Sequence, residues 1–160
     1  MRLECSTDYA LIASIMRHPR IYPWLGDDFY PCAEDFSPNE SPAVTYLLAF
    51  DDGELLGVFM THPINGVLWE VHHCLLPSAW GRRARAAGKA YLGWLWHSTH
   101  ALKVVGFTPS DNALAIRFAK SLGLVEIGRL RRSLLRRGVL VDLVIVGKDK
   151  PLEEQQAWQA

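Results

Sequence analysis

Nothing in this sequence is in strong excess, and the shortages narrow its function first. Seventeen basic residues are matched by seventeen acidic ones, so no net field steers the chain towards nucleic acid or an anionic membrane. Cysteine is scarce. Cys5, Cys32 and Cys74 are odd in number and far apart, which argues against a disulfide framework and leaves no C-x-x-C spacing. No metal site is expected, and a reducing compartment fits. No apolar run approaches the roughly 18 residues needed to cross a bilayer. The opening MRLECSTDYA has no apolar core of a secretory signal, so a cytoplasmic location is the default expectation. Repeats and low-complexity segments are absent. A chain of 160 residues fits one domain, expected over residues 1–148 with a polar tail at 149–160.

What is present reads as a mixed α/β sheet. Met1 to Cys5 suits a short strand, and Ser6 or Thr7 can cap a helix that Pro19 stops. Residues 21–36 are an irregular aromatic segment with one short helix. Two hairpins follow: Val44 to Phe50, a turn at Asp51-Asp52-Gly53, and Leu55 to Thr61; then Asn65-Gly66, the favoured type I′ pair, leads into Val67 to Leu76. From Arg82 the apolar positions Ala84, Ala87, Gly88, Tyr91 and Leu95 have helical spacing. Leu102 to Phe107 suits a buried strand. Asp111 or Asn112 caps a further helix closed by Gly123, and Leu124 to Leu134 with Leu140 to Gly147 form a last hairpin.

Two blocks carry a resemblance. LLPSAWGRRARAAGKAYLGWLW, from Leu75 to Trp96, is a strand, a tight turn and a helix with Gly81 in the turn. VVGFTPSDNALAIRFAKSLGL, from Val104 to Leu124, carries Asn112, Ala115, Gly123 and Leu124 in an N-x-x-A…G-L pattern. With the element order, they resemble the acetyl-coenzyme A loop and the following segment of the Gcn5-related N-acetyltransferase (GNAT) superfamily, notably its short phage-encoded and ribosomal-protein-type members. The resemblance implies a mostly antiparallel, twisted sheet of about seven strands with helices on both faces, and acetyl-CoA as co-substrate. Leu75, Leu76, Trp80, Gly81, Arg82, Arg83, Ala84, Arg85, Asn112 and Phe118 would then bind the cofactor. A helix start presents free N–H groups and a positive dipole end, which suits a pyrophosphate. Two loop glycines of the family are Arg83 and Arg85 here, so a plain helix start is expected. Ala119 replaces the family's tyrosine proton donor.

Acetyl transfer needs a neutral amine, and an alkyl ammonium has a pKa near ~10.4, so a base is required. In this fold it projects from the strand before the loop, here Glu70-Val71-His72-His73. Period two puts Glu70 and His72 on one face and His73 on the other. His72 ranks first, then Glu70, then His73, because an imidazole with pKa near ~6.5 suits a base at neutral pH. Tyr22, Trp24, Asp27, Asp28, Phe29 and Tyr30 are the candidate pocket for a cationic amine, either a small molecule or a protein amine. Two alternatives stand beside the transferase: an inactive GNAT-fold module that binds coenzyme A or a protein, and a nucleic-acid module using Arg129 to Arg137. A homodimer is compatible with the sequence.

Overall fold

The structure is a computed structural model that describes residues 1–152. Its strands are β1 (Arg2–Cys5), β2 (Thr45–Asp51), β3 (Glu54–Pro63), β4 (Leu68–Leu75), β5 (Lys103–Pro109), β6 (Val125–Arg136) and β7 (Val139–Asp149), in the sheet order β1-β2-β3-β4-β5-β7-β6. Every neighbouring pair is antiparallel except β4 with β5. Helix α1 (Tyr9–Met16) covers one face, where Ile12, Ile15, Phe36, Val58 and Cys74 are buried together. Helices α2 (Arg82–Ser98) and α3 (Ala113–Ser121) cover the other, over Leu47, Phe59, Leu75, Val104 and Val144. Phe59 stacks on Tyr91 with ring centroids 4.4 Å apart. No helix among the described residues is long and apolar enough to cross a membrane.

Local chemistry explains most of the element ends. Asp52 and Gly53 both hold positive φ, 49° and 82°, as a two-residue type I′ turn requires. The same turn expected at Asn65-Gly66 does not form, since neither residue has positive φ. The Asn65 side chain instead accepts from the N–H groups of Val67 and Leu68 at 3.1 and 2.9 Å, and this local bond decides the loop. Helix α1 is capped by Asp8 rather than Ser6 or Thr7; its carboxylate accepts from Leu11 N at 2.9 Å. Asn112 caps α3 by accepting from Ala115 N at 3.1 Å. The aromatic segment contains a single 3₁₀ turn, Tyr22–Trp24. The folded body passes the expected end at 148: β7 runs to Asp149, and buried Lys150 donates its ammonium to the Trp96 carbonyl at 2.7 Å. Residues 153–160 of the expected tail lie outside the described residues.

The sheet has one conspicuous irregularity. β4 and β5 pair only at Leu68/Lys103, Trp69/Val104 and Glu70/Val105. Beyond that point β4 stays with β3 as far as Leu75, and β5 stays with β7 as far as Pro109. Two glycines sit where backbones come closest. A Cβ at Gly57, whose φ is +141°, would lie 2.2 Å from the Cys74 carbonyl oxygen, so glycine lets β3 hold the far end of β4. A Cβ at Gly106 would lie 3.3 Å from the Val71 carbonyl, at the root of the gap. The facing edges Val71–Leu75 and Gly106–Pro109 are left without each other as partners.

The stacked core should dominate stability. Phe59→Ala is expected to lose about 3–5 kcal/mol in denaturant unfolding. Phe29→Ala, at a ring that is 83% exposed, should change stability by less than about 0.5 kcal/mol.

Candidate active site

The gap between β4 and β5 opens into a cleft of about 920 Å³ that passes through the sheet. The pleat of β4 sends successive side chains to its two sides. Cys74 packs in the α1-side core, so Glu70 and His72 share that side; Trp69, Val71 and Leu75 pack towards α2 and α3, and His73 goes with them.

On the α1 side, His72 Nε2 lies 2.8 Å from Glu70 Oε1, and His62 Nε2 of β3 lies 3.6 Å from Glu70 Oε2. The hydrogen bond from His72, helped by the charges of His72 and His62, holds the Glu70 carboxyl below its usual range despite partial burial. A carboxylate only accepts, so His72 Nε2 must carry the hydrogen and Nδ1 must hold the free lone pair. That nitrogen has no protein partner among the described residues. The three donor groups lie within 4.8 Å of one another and are a set that a divalent ion would accept. Metal-binding histidines are normally oriented by a second hydrogen bond. The outer nitrogens of His62 and His72 have no such bond among the described residues; within the triad His72 is hydrogen-bonded to Glu70, and His62 lies near the same carboxylate as an ion-pair partner when protonated. His62 was missed in the sequence; only the β3/β4 register, which sets it opposite Glu70, could have revealed it.

His73 does not join this group. Its ring meets Phe118 of α3 at 4.5 Å, and burial, with the charge of His72, pushes its pKa down to about 4. Cys74 is a core residue whose thiol burial pushes up to about 12, so it offers no thiolate at neutral pH.

The other mouth of the cleft gathers a helix start and several cations. Gly81 carries φ +93°, a conformation L-residues rarely adopt, and starts α2 with the N–H groups of its first turn free. Arg82, Arg83 and Arg85 are helical. Arg83 turns away: it pairs with Asp51 at 3.3 Å and Glu54 at 2.9 Å on the β2–β3 hairpin. Arg82 and Arg85 line a groove of about 680 Å³ with Lys89 and with Arg117 of α3. None of these four cations has an ion-pair partner among the described residues. Lys89 was legible as the residue four after Arg85 on the same helix face; Arg117 needed the packing of two helices. Trp80 lines the cleft and donates its indole N–H to the Leu75 carbonyl at 2.9 Å. Leu75, Ala84, Asn112 and Phe118 also line it, whereas Leu76 packs into the α1-side core.

The aromatic segment is divided. Trp24 and Tyr30 line the cleft together with Phe36 and Met60. Tyr22 donates its hydroxyl to the Pro31 carbonyl and packs on Phe36, and Phe29 faces solvent. Neither expected carboxylate lines the cleft. Asp27 accepts from Phe29 N at 3.0 Å in its own turn. Asp28 accepts from the N–H groups of Gly138 and Arg137, at 2.7 Å each, and these two bonds hold its carboxyl below the usual range. Short-range demands of a turn and a hairpin take both acids away from the cavity.

This architecture is the GNAT fold. A structure of spermidine N-acetyltransferase from Vibrio cholerae in complex with CoA and spermine superposes with a TM-score of 0.76, at 16% identity over 92% of this chain and 94% of that one. The ribosomal-protein-S5-alanine acetyltransferase of Vibrio fischeri matches at TM-score 0.66 and 17% identity, over 94% of each chain. A GNAT-family acetyltransferase of Bacillus anthracis matches at 0.58 and 14%, over 67% of this chain and 66% of that one. By sequence, residues 34–155 match the model of the family described as "Protein of unknown function (DUF2824)", and the chain belongs to that family. No curated protein matches the chain.

The environment of His73 makes stability depend on pH. Its folded pKa, about 4, lies below the unfolded value of 6.5, so between those values the unfolded state binds a proton that the native state does not. Stability should therefore fall as pH drops through this window. Denaturant unfolding of the parent and of His73→Phe should show the parent losing more; parallel pH profiles would contradict this environment.

Proposed function

We propose that the protein is an N-acetyltransferase that moves the acetyl group of acetyl-CoA onto an amine. The observation that carries this reading is the cleft between β4 and β5, with a cationic helix start at one mouth and the Glu70–His72 pair at the other. Coenzyme A suits the first mouth. Its phosphates meet the free N–H groups of α2 and the charges of Arg82, Arg85, Lys89 and Arg117. Its pantetheine arm carries two amides, and the unpaired edges of β4 and β5 offer backbone donors and acceptors at strand spacing. The thioester is thereby delivered through the sheet to the α1 side, where His72 stands.

There the amine nitrogen attacks the thioester carbonyl, the C–N bond forms, the C–S bond breaks, and coenzyme A leaves as thiolate. His72 Nδ1 takes the ammonium proton, directly or through a water, while Glu70 fixes the tautomer and stabilises the imidazolium. Buried Ala119 supplies no proton donor. With a thiol pKa near ~8.5, the thiolate leaves near neutral pH and is protonated by water. The exposed, unpaired thiols of Cys5 and Cys32 fit a cytoplasmic setting. Two of the hairpin arginines are not free to meet a nucleic-acid backbone: Arg129 pairs with Glu126 and Asp142, and Arg136 is buried.

Two expectations test the reading. In a thiol-release assay with an amine panel, His72→Ala should lower kcat at pH 7 by on the order of 10²-fold and flatten its pH profile, with acetyl-CoA affinity kept. An unaltered profile removes His72 as the base. In calorimetric titrations with acetyl-CoA, Arg82→Ala or Arg117→Ala should weaken binding by about 1–3 kcal/mol, and salt should weaken it further. Arg83→Ala, occupied by its own carboxylates, should be silent. Equal effects at all three positions would place the phosphates elsewhere.

A further inference from the structure

The acceptor side of the cleft holds more cation than acid. Its walls, Trp24, Tyr30, Phe36 and Met60, are largely apolar, and its fully charged residues are Arg20, Asp111 and Arg137. Two of the three are engaged. The Arg20 guanidinium lies 4.6 Å over the Trp80 ring, and Asp111 faces Arg136 at 3.4 Å. The Arg137 side chain has no hydrogen bond or ion pair among the described residues; only its backbone N–H is bonded.

That side chain projects from a firmly held turn. Arg137 and Gly138, at φ +50° and +73°, are the two positive-φ residues of the β6–β7 hairpin turn. The turn is locked from outside. Asp28 accepts from both Arg137 N and Gly138 N at 2.7 Å, and Asp28 N in turn donates to the Leu135 carbonyl at 2.9 Å. Buried Arg136 lies 4.3 Å over the Trp24 ring and donates to the Pro23 carbonyl at 2.9 Å. A turn fastened on both sides in this way fixes where the Arg137 side chain starts, and a charge with no partner among the described residues then lines the cavity.

We propose that Arg137 binds an anionic group on the acceptor, so that the substrate is an amine with an apolar or aromatic body and a carboxylate or phosphate. This rests on the acetyl-transfer reading above. The guanidinium fork matches either oxyanion through paired, charge-assisted hydrogen bonds, and the aromatic walls take the body. A polyamine fits poorly. Its further ammonium groups would meet Arg137, whereas the nearby acids are occupied: Asp111 faces Arg136, Glu70 is engaged by His72 and His62, and Asp27 and Asp28 are used elsewhere.

The test compares phenethylamine, 4-(2-aminoethyl)benzoate, O-phosphotyramine and spermidine by thiol release, in the parent, Arg137→Gly and Arg137→Lys. Glycine suits the turn, so that variant removes the charge without loading the fold. At least one anionic amine should exceed phenethylamine in kcat/KM by roughly tenfold or more, the size expected for a hydrogen bond to a charged group. Arg137→Gly should bring that ratio to near one, and Arg137→Lys should restore part of it. Whichever anionic amine leads identifies carboxylate or phosphate as the group. Spermidine as the best acceptor, or a ratio that survives in Arg137→Gly, overturns the proposal. If no amine is acetylated although acetyl-CoA binds, the transfer reading fails, and the anion site is judged by titrating O-phosphotyramine and 4-(2-aminoethyl)benzoate into CoA-saturated protein. Tighter binding to the parent than to Arg137→Gly supports the site; equal affinities overturn it.

Discussion

Two neighbouring strands that part after three residue pairs create the main opportunity and the main problem of this molecule. Backbone groups left unpaired inside a protein are costly unless something meets them. Here β3 and β7 hold the outer edges of β4 and β5, and beyond the three pairs the inner edges do not pair with each other. The Trp80 indole occupies the Leu75 carbonyl, and Phe118 lies against His73. The remaining groups border a cleft that an extended, amide-bearing chain can enter. The pleat of β4 then assigns the two sides their chemistry, with Glu70 and His72 facing one and His73 the other.

Charge is sorted along the same passage. Cations with no ion-pair partner among the described residues gather where α2 begins and α3 passes beside it, while the arginine that could have joined them, Arg83, is held by Asp51 and Glu54. Farther along, the partly buried Glu70 carboxylate lies between two imidazoles. At the acceptor mouth the acids serve as fasteners: Asp28 ties the aromatic segment to the β6–β7 turn, and Asp111 meets Arg136. Zero net charge thus conceals a polarised site, which overall composition could not reveal.

The fold was largely legible because its signals are local. Hairpin turns, helix caps and the alternation in β4 are set within a few residues, and they gave the element order and the shared side of Glu70 and His72. Features that depend on long-range pairing were not. The separation of β4 from β5 has no sequence mark beyond Gly106. His62 joins Glu70 only through strand register, and Arg117 joins Arg82 only through helix packing. The misreadings have the same origin. Asp27 and Asp28 looked like partners for an amine because composition places acids among aromatics; their geometry is decided by nearby N–H groups and by a hairpin more than 100 residues away. Asn65-Gly66 looked like a type I′ turn until the Asn65 side chain bonded the backbone itself.

The central claim is that coenzyme A fills the gap between β4 and β5 and meets their free edges. Amide hydrogen exchange, measured residue by residue with and without CoA, reads this directly. Added CoA should slow exchange along Val71–Leu75, along Gly106–Thr108 and in the first turn of α2, while β1 and β2 stay as they were. Native protein saturated with CoA that shows no added protection on the facing edges of β4 and β5 would contradict the account.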